Sequence, residues 1–244
     1  MAKAKNVFPP TIQIGILIYE GFEPIDVWGF TEAFVISRFL GTGYESDPPY
    51  PFNVRFISNE VRPKDKPNAI PSPVHCQNGP AVAPDMFRDD ALQQTFDLFM
   101  IPGGKTGPLL DNKNPKAMNA LLDWVRAMDQ RCKITSSVCT GAAVLAASGV
   151  LDGKPAATNH AAFGWVITFG PLVLWDSVSR WVDAGKYVTS AGVSAGTDMA
   201  FHLVDRLAGR AVAEAAAMQA ECDWHRDPQE PIKYPEQATV PTPQ

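Results

Sequence analysis

Apolar residues along this chain follow two alternating patterns. Ile12 to Tyr19 is rich in β-branched residues and nearly continuous in apolar character, as in a strand covered on both faces. Pro24 then opens a helical pattern to about Phe39, with Val27, Phe30, Phe34 and Val35 on one stripe. After a turn-rich break from Gly41 to Pro51, Phe52 to Ser58 reads as a second strand, followed by a proline-studded stretch from Arg62 to Pro84 with short β segments. Asp97 to Ile101 is a short buried strand running into Pro102-Gly103-Gly104, and Ala117 to Met128 is helical. Lys133 to Val138 reads as a strand and Thr140 to Ala147 as a helix. Beyond Gly153 come a strand at Ala156 to Thr158, a helix near Ala161 to Thr168, strands near Ser179 to Asp183 and Lys186 to Ser190, and a helix from Ala195 to Leu207. Strands alternating with helices specify an α/β fold with a mostly parallel sheet and helices on both faces.

Sites in such sheets lie beyond the carboxyl ends of the strands, which brings the loops after Tyr19, after Ile101 and after Val138 together. Cys139 stands on the last of these, at a strand-to-helix corner. A corner of this kind lifts a side chain above the sheet and aims the free N–H groups of the following helix at it. That geometry predicts a lowered thiol pKa and a nucleophilic thiolate. The plain alternative is a buried, inert cysteine. Gly103 and Gly104 let backbone N–H groups approach a ligand, and the N–H of Gly104 paired with that of Thr140 would make an anion-stabilising pocket; otherwise they form a tight turn. A phosphate-loop reading of Lys105-Thr106 fails, because Phe99 occupies the position of the motif's first glycine.

The first loop supplies Glu20, Glu23 and Asp26. Asp26 lies among Pro24, Ile25, Val27, Trp28 and Phe30, apolar surroundings that raise a carboxyl group's proton affinity and suit it to acid or base work near neutrality. An acidic residue in a first helical turn is also favoured simply by the dipole. His160 follows Thr158-Asn159 within reach of the site, whereas His202 falls within a helix as a packing residue. Cys222-Asp-Trp-His225 and His75-Cys76 lack the second pair a zinc site needs, so no metal is expected.

Composition adds limits. A formal charge of −5, without lysine- or arginine-rich runs, leaves no basic field for nucleic acid or anionic membrane. Nothing is long and apolar enough to span a bilayer, and the start of the chain does not read as a secretory signal. Cys76, Cys132, Cys139 and Cys222 show no close pairing pattern and suggest reduced thiols in a cytoplasmic setting. Residues 1–228 read as one domain, and 229–244, rich in Pro, Glu and Thr, as a tail.

Three separated segments carry a family resemblance. Asp97-Leu-Phe-Met-Ile-Pro-Gly-Gly104, Thr135-Ser-Ser-Val-Cys-Thr-Gly141 and the Thr189 to Ala200 segment resemble the ThiJ/PfpI superfamily, which implies a class I glutamine-amidotransferase-like, flavodoxin-like fold. Within it the resemblance is to isonitrile hydratases, whose elbow reads Ser-Val-Cys-Thr-Gly, as at Ser137 to Gly141. It implies Cys139 as nucleophile, Asp26 as acid and base, and Thr140 in support. Gly103, Gly104, His160 and Trp28 would bind the substrate or its developing charge, with no cofactor. The resemblance further implies a homodimer acting on a small molecule, and the Trp28 to Phe39 helix carries spare apolar residues for the interface. Departures are Trp28 for Thr, Phe30 for Pro, and Asn159-His160-Ala161 where the hydratases tend to carry Thr-His-Trp. The alternatives are a glyoxalase- or deglycase-like enzyme with Glu23 as acid, an amidohydrolase of the same superfamily, or a thiol redox sensor that catalyses nothing. The superfamily's transcription regulators would carry a further helix-turn-helix module, which this chain is too short to hold.

Overall fold

The computed structural model describes residues 8–42 and 50–232. In chain order these form β1 (Ile12–Ile18), α1 (Pro24–Val35), β2 (Phe52–Ser58), the short strands β3 (Val74–His75), β4 (Ala81–Val82) and β5 (Met86–Phe87), the single turn α2 (Arg88–Ala91), β6 (Leu98–Ile101), α3 (Pro115–Arg131), β7 (Ile134–Ser137) and α4 (Gly141–Ala147). There follow β8 (Pro155–Ala157), α5 (Phe163–Val166), β9 (Leu174–Asp176), β10 (Trp181–Ala184), β11 (Tyr187–Ser190), α6 (Val193–Ala208) and α7 (Arg210–Gln219).

Seven strands make one sheet in the order β10-β11-β7-β6-β1-β2-β5. All neighbours run parallel except β10 and β11, a hairpin turned at Gly185. The central strands carry apolar residues on both faces, and β6 is buried along its whole length. Adjacent residues of β7 show what lies on each side: Thr135 Oγ1 donates to Asp129 of α3 at 2.7 Å, while Ser136 Oγ lies 4.0 Å from the Met199 sulfur of α6. Successive side chains of a strand point to opposite faces, so α3 and α6 cover opposite sides of the sheet. Phe99 meets Trp124 edge to face on the α3 side, and α1 packs beside α6 on the other.

Gly29 sits at the α1–α6 contact, where an added Cβ would lie 2.4 Å from Thr197 Oγ1. α1 ends at Val35, short of the expected Phe39, because side chains take over its last carbonyls. Ser37 Oγ donates to the Ala33 carbonyl and the Arg38 guanidinium to that of Val35, both at 2.7 Å. The small sheets β3–β4 and β8–β9 flank the strand ends. Of the expected tail, Gln229 lies against Ser179, its amide donating to Oγ at 2.6 Å, and residues 233–244 fall outside the described residues.

Candidate active site

Three loops meet at the carboxyl end of the sheet. After β1 the chain turns at Gly21 and Phe22, after β6 at Gly103 and Gly104, and after β7 at Cys139. Backbone bonds tie the first two together: Glu23 N–H donates to the Gly103 carbonyl and Lys105 N–H to the Gly21 carbonyl, each at 2.9 Å. Tyr19, fully inside, places its hydroxyl 2.7 Å from the Gly103 carbonyl and 2.9 Å from that of Pro102. The third loop is fixed by Val138 N–H donating to the Ile101 carbonyl at 3.1 Å. At Gly141 a Cβ would stand 2.2 Å from that same carbonyl oxygen, so only glycine lets α4 start against the end of β6. Cys139 itself adopts φ +56°, a left-handed conformation rare for a residue with a side chain.

Asp26 and Cys139 converge over Gly103. The point where a Gly103 Cβ would sit is 2.8 Å from Asp26 Oδ2, from Cys139 Cβ and from the Thr140 nitrogen. The Asp26 carboxyl is entirely buried; Oδ2 accepts the Gly103 N–H at 2.7 Å, and Oδ1 has no hydrogen-bond partner among the described residues. Burial, with added repulsion from Glu23, outweighs the Gly103 bond and raises its pKa from 3.8 to about 7. An acidic group that titrates near neutrality and leaves one oxygen uncommitted is suited to carry protons.

The thiol departs from the sequence expectation. Burial and the neighbouring Asp26 charge push Cys139 up to about 12, against the lowering effect of the Thr140 N–H and the Asn159 carboxamide. Desolvation therefore overrides the helix terminus, and the thiol is held protonated with the Asp26 carboxyl converging on the same point over Gly103.

The expected anion pocket is also built differently. Gly104, at φ +108°, turns its N–H to Thr140 Oγ1 at 3.2 Å, while the Gly103 N–H is held by Asp26. The Thr140 N–H and the Asn159 carboxamide are the groups that favour the charged sulfur. Glu23 lies at the N-cap of α1 with its charge within reach of Asp26 and Cys139, so the acid alternative to Asp26 sits at the same site. His160 is half-buried and within electrostatic reach of Asp176. Trp28 lies elsewhere. Two residues from Asp26 on a helix, it points to another side, packs edge to face on Phe56 of β2 and stays 44% exposed.

Sequence reasoning gave no role to Tyr19 or Thr158, and noted Asn159 only as a departure from the hydratase pattern. Thr158 Oγ1 donates to the Cys139 carbonyl at 2.9 Å and anchors the segment after β8 to the elbow. The only signal for these residues was their position just past strand ends.

A cavity of about 490 Å³ begins at Ile25, one residue before Asp26, and runs between Ser194 and Thr197 of α6 and the segment from Cys222 to Ile232. Its wall holds the buried ion pair Arg180–Asp198. No group of three or more His, Cys, Asp or Glu able to hold a metal occurs among the described residues. Nor is any helix among them long and apolar enough to cross a membrane.

A mostly parallel sheet with a cysteine on a strained elbow and a buried acid from the first helix defines a class of α/β proteins with a thiol site. The chain belongs to the DJ-1/PfpI family, whose model matches residues 13–206. It is 32% identical over 150 residues to an isonitrile hydratase of Pseudomonas putida, an aligned stretch that spans 61% of each protein. Among solved structures it is similar to a ThiJ/PfpI family protein from Pseudomonas syringae, with TM-score 0.69, 21% identity and coverage of 98% of this chain and 88% of that one. Drosophila melanogaster DJ-1beta matches with TM-score 0.68 and 15% identity over 88% of this chain and all of its own, a likeness of fold.

Proposed function

We propose that this protein hydrates an isonitrile to an N-substituted formamide at Cys139. The observation that carries the reading is the buried Asp26 carboxyl beside the Cys139 thiol, with a pKa of about 7 and one oxygen uncommitted. The similarity to an isonitrile hydratase supports it.

The ionised Asp26 takes the thiol proton and delivers it to the terminal isonitrile carbon, while the sulfur lone pair forms the C–S bond. The product is a thioimidate. Asp26 then accepts a proton from water as the water oxygen joins the imidate carbon, and passes that proton to the nitrogen; the C–S bond breaks as the added hydroxyl becomes the formamide carbonyl, and its proton passes through Asp26 to the sulfur to restore the thiol. One water is consumed, and the formamide leaves.

A redox-sensing cysteine depends on thiolate character at rest, and the protonated Cys139 fits acid-assisted chemistry better. The four free cysteines suit the reducing setting we assign it, the cytoplasm. We read residues 1–228 as one domain acting as a homodimer, with Ile25, Trp28 and Val35 as exposed apolar positions along α1. The test is turnover of aliphatic isonitriles, followed as formamide by chromatography, with Cys139→Ala as the control. Turnover in the native chain and none in the variant is the expected result; equal turnover in both, or none in the native chain, ends the assignment.

A further inference from the structure

Tyr19 follows the last residue of β1, its side chain buried and its hydroxyl turned to the loop after β6. The hydroxyl meets two carbonyl oxygens, that of Gly103 at 2.7 Å and that of Pro102 at 2.9 Å. Carbonyls only accept, so the phenol stays neutral and shares its one proton between them. Burial and the Asp26 charge keep it so, holding its pKa well above the ordinary phenol value. The consequence lies in the peptide it touches. The Pro102 carbonyl and the Gly103 N–H belong to one planar trans peptide, so they point opposite ways and fixing one aims the other. That N–H is the one that binds Asp26 Oδ2 at 2.7 Å. A chain of hydrogen bonds therefore runs from the Tyr19 hydroxyl through this peptide to the acid, and each bond in such a chain polarises the next.

We propose that Tyr19 is a positioning residue for Asp26, its hydroxyl holding and polarising the Pro102–Gly103 peptide so that the Gly103 N–H steadies the ionised acid beside Cys139. The inference rests on reading Asp26 as the acid and base of this site. Gly103 is where small displacements count, because the place of its absent Cβ lies 2.8 Å from Asp26 Oδ2, from Cys139 Cβ and from the Thr140 nitrogen. A peptide turned there would carry the donor away from the acid. The charged and titratable groups around Asp26 are separate from this device. They are Glu23 on its own helix, Cys139 on the elbow, Lys105 with its stem against Gly21, and the paired Arg180 and Asp198 lining the cavity that begins at Ile25. Exchanging one neutral ring for another at position 19 changes none of them.

Titration of Asp26 tests this without any isonitrile. Protein labelled with carbon-13 at its aspartate carboxyls is followed by NMR over a pH series, and the Asp26 signal is assigned by its loss in Asp26→Asn. The native midpoint is the reference. Tyr19→Phe keeps the ring and removes the donor, and its midpoint should rise by about 0.5 to 1 unit, since a weakened hydrogen bond to a charged group favours the ionised form less. A chain carrying 3-fluorotyrosine at position 19 alone makes the opposite change, a stronger donor in the same buried place, and its midpoint should fall. That second arm separates donation from burial, and it decides alone if Tyr19→Phe does not fold. A midpoint unmoved or displaced the other way in either folded protein overturns the proposal, even where Tyr19→Phe melts earlier, because Tyr19 would then be a structural part only. Isonitrile turnover of the native chain is measured separately. If it is absent while the midpoints move as expected, the hydratase reading fails and the Tyr19 assignment stands. If it is present while the midpoints stay, the hydratase stands and the Tyr19 assignment falls.

Discussion

Asp26→Asn should stabilise this protein while removing its activity, and the gain should grow with pH. The carboxyl is fully buried, has no ion-pair partner among the described residues, and carries a pKa of about 7 in the fold against 3.8 as its ordinary value. Between those values the folded chain holds a proton that the unfolded chain has released, so native stability falls as pH rises through this window. Above about 7 both states are ionised and the loss is complete. A displacement of about three pKa units corresponds to a ceiling of roughly 4 kcal/mol, since each unit is about 1.36 kcal/mol. Asparagine is nearly isosteric, accepts the Gly103 N–H and never ionises. The advantage of the variant over the native protein should increase by about 2–3 kcal/mol between roughly pH 5 and pH 8 on the same linkage. Urea unfolding of both proteins at the two pH values measures it, and comparing variant with native protein removes groups common to both. An equal difference at both pH values would refute the argument, because it would mean that Asp26 ionises in the fold as easily as in water.

Gly141→Ala should destabilise by about 1–3 kcal/mol or more, since its methyl would meet the Ile101 carbonyl at 2.2 Å and the Pro102 carbonyl at 2.8 Å, backbone atoms with no room to rotate away. A melting temperature equal to that of the native protein would contradict this. Static light scattering at micromolar concentration should give twice the mass of the chain, and an added charge, Trp28→Glu, should shift it toward the monomer; a monomeric native protein would dispose of the dimer.

The sheet was legible because its strands are short, apolar and closed by glycine or proline, and the elbow because Gly141 and the small residues after Cys139 announce a tight strand-to-helix corner. α7 was missed although its alanines favour a helix, since it begins directly after α6 at Gly209 and reads as loop when propensity is ignored. α1 was drawn too long because capping by Ser37 and Arg38 leaves no mark in hydrophobic spacing. Asp26 and Cys139 were visible as candidates from their local surroundings. Their electrostatics were visible only in part. The rise at Asp26 follows from apolar neighbours in sequence, whereas the rise at Cys139 depends on a carboxyl more than a hundred positions away and on burial by several elements. Tyr19 and Thr158 act through contacts that exist only once separate strand ends are assembled.

The left-handed backbone at Cys139 bears on why a thiol is there at all. A side chain in that conformation is disfavoured by about 1–2 kcal/mol, a penalty that glycine escapes. With its φ of +56°, the position is one where folding alone would select glycine, and the sulfur is kept against that preference. Simple decay toward a more stable sequence would therefore delete the thiol first and leave the architecture standing. On the function proposed above, use of the sulfur outweighs the comfort of the fold at this elbow.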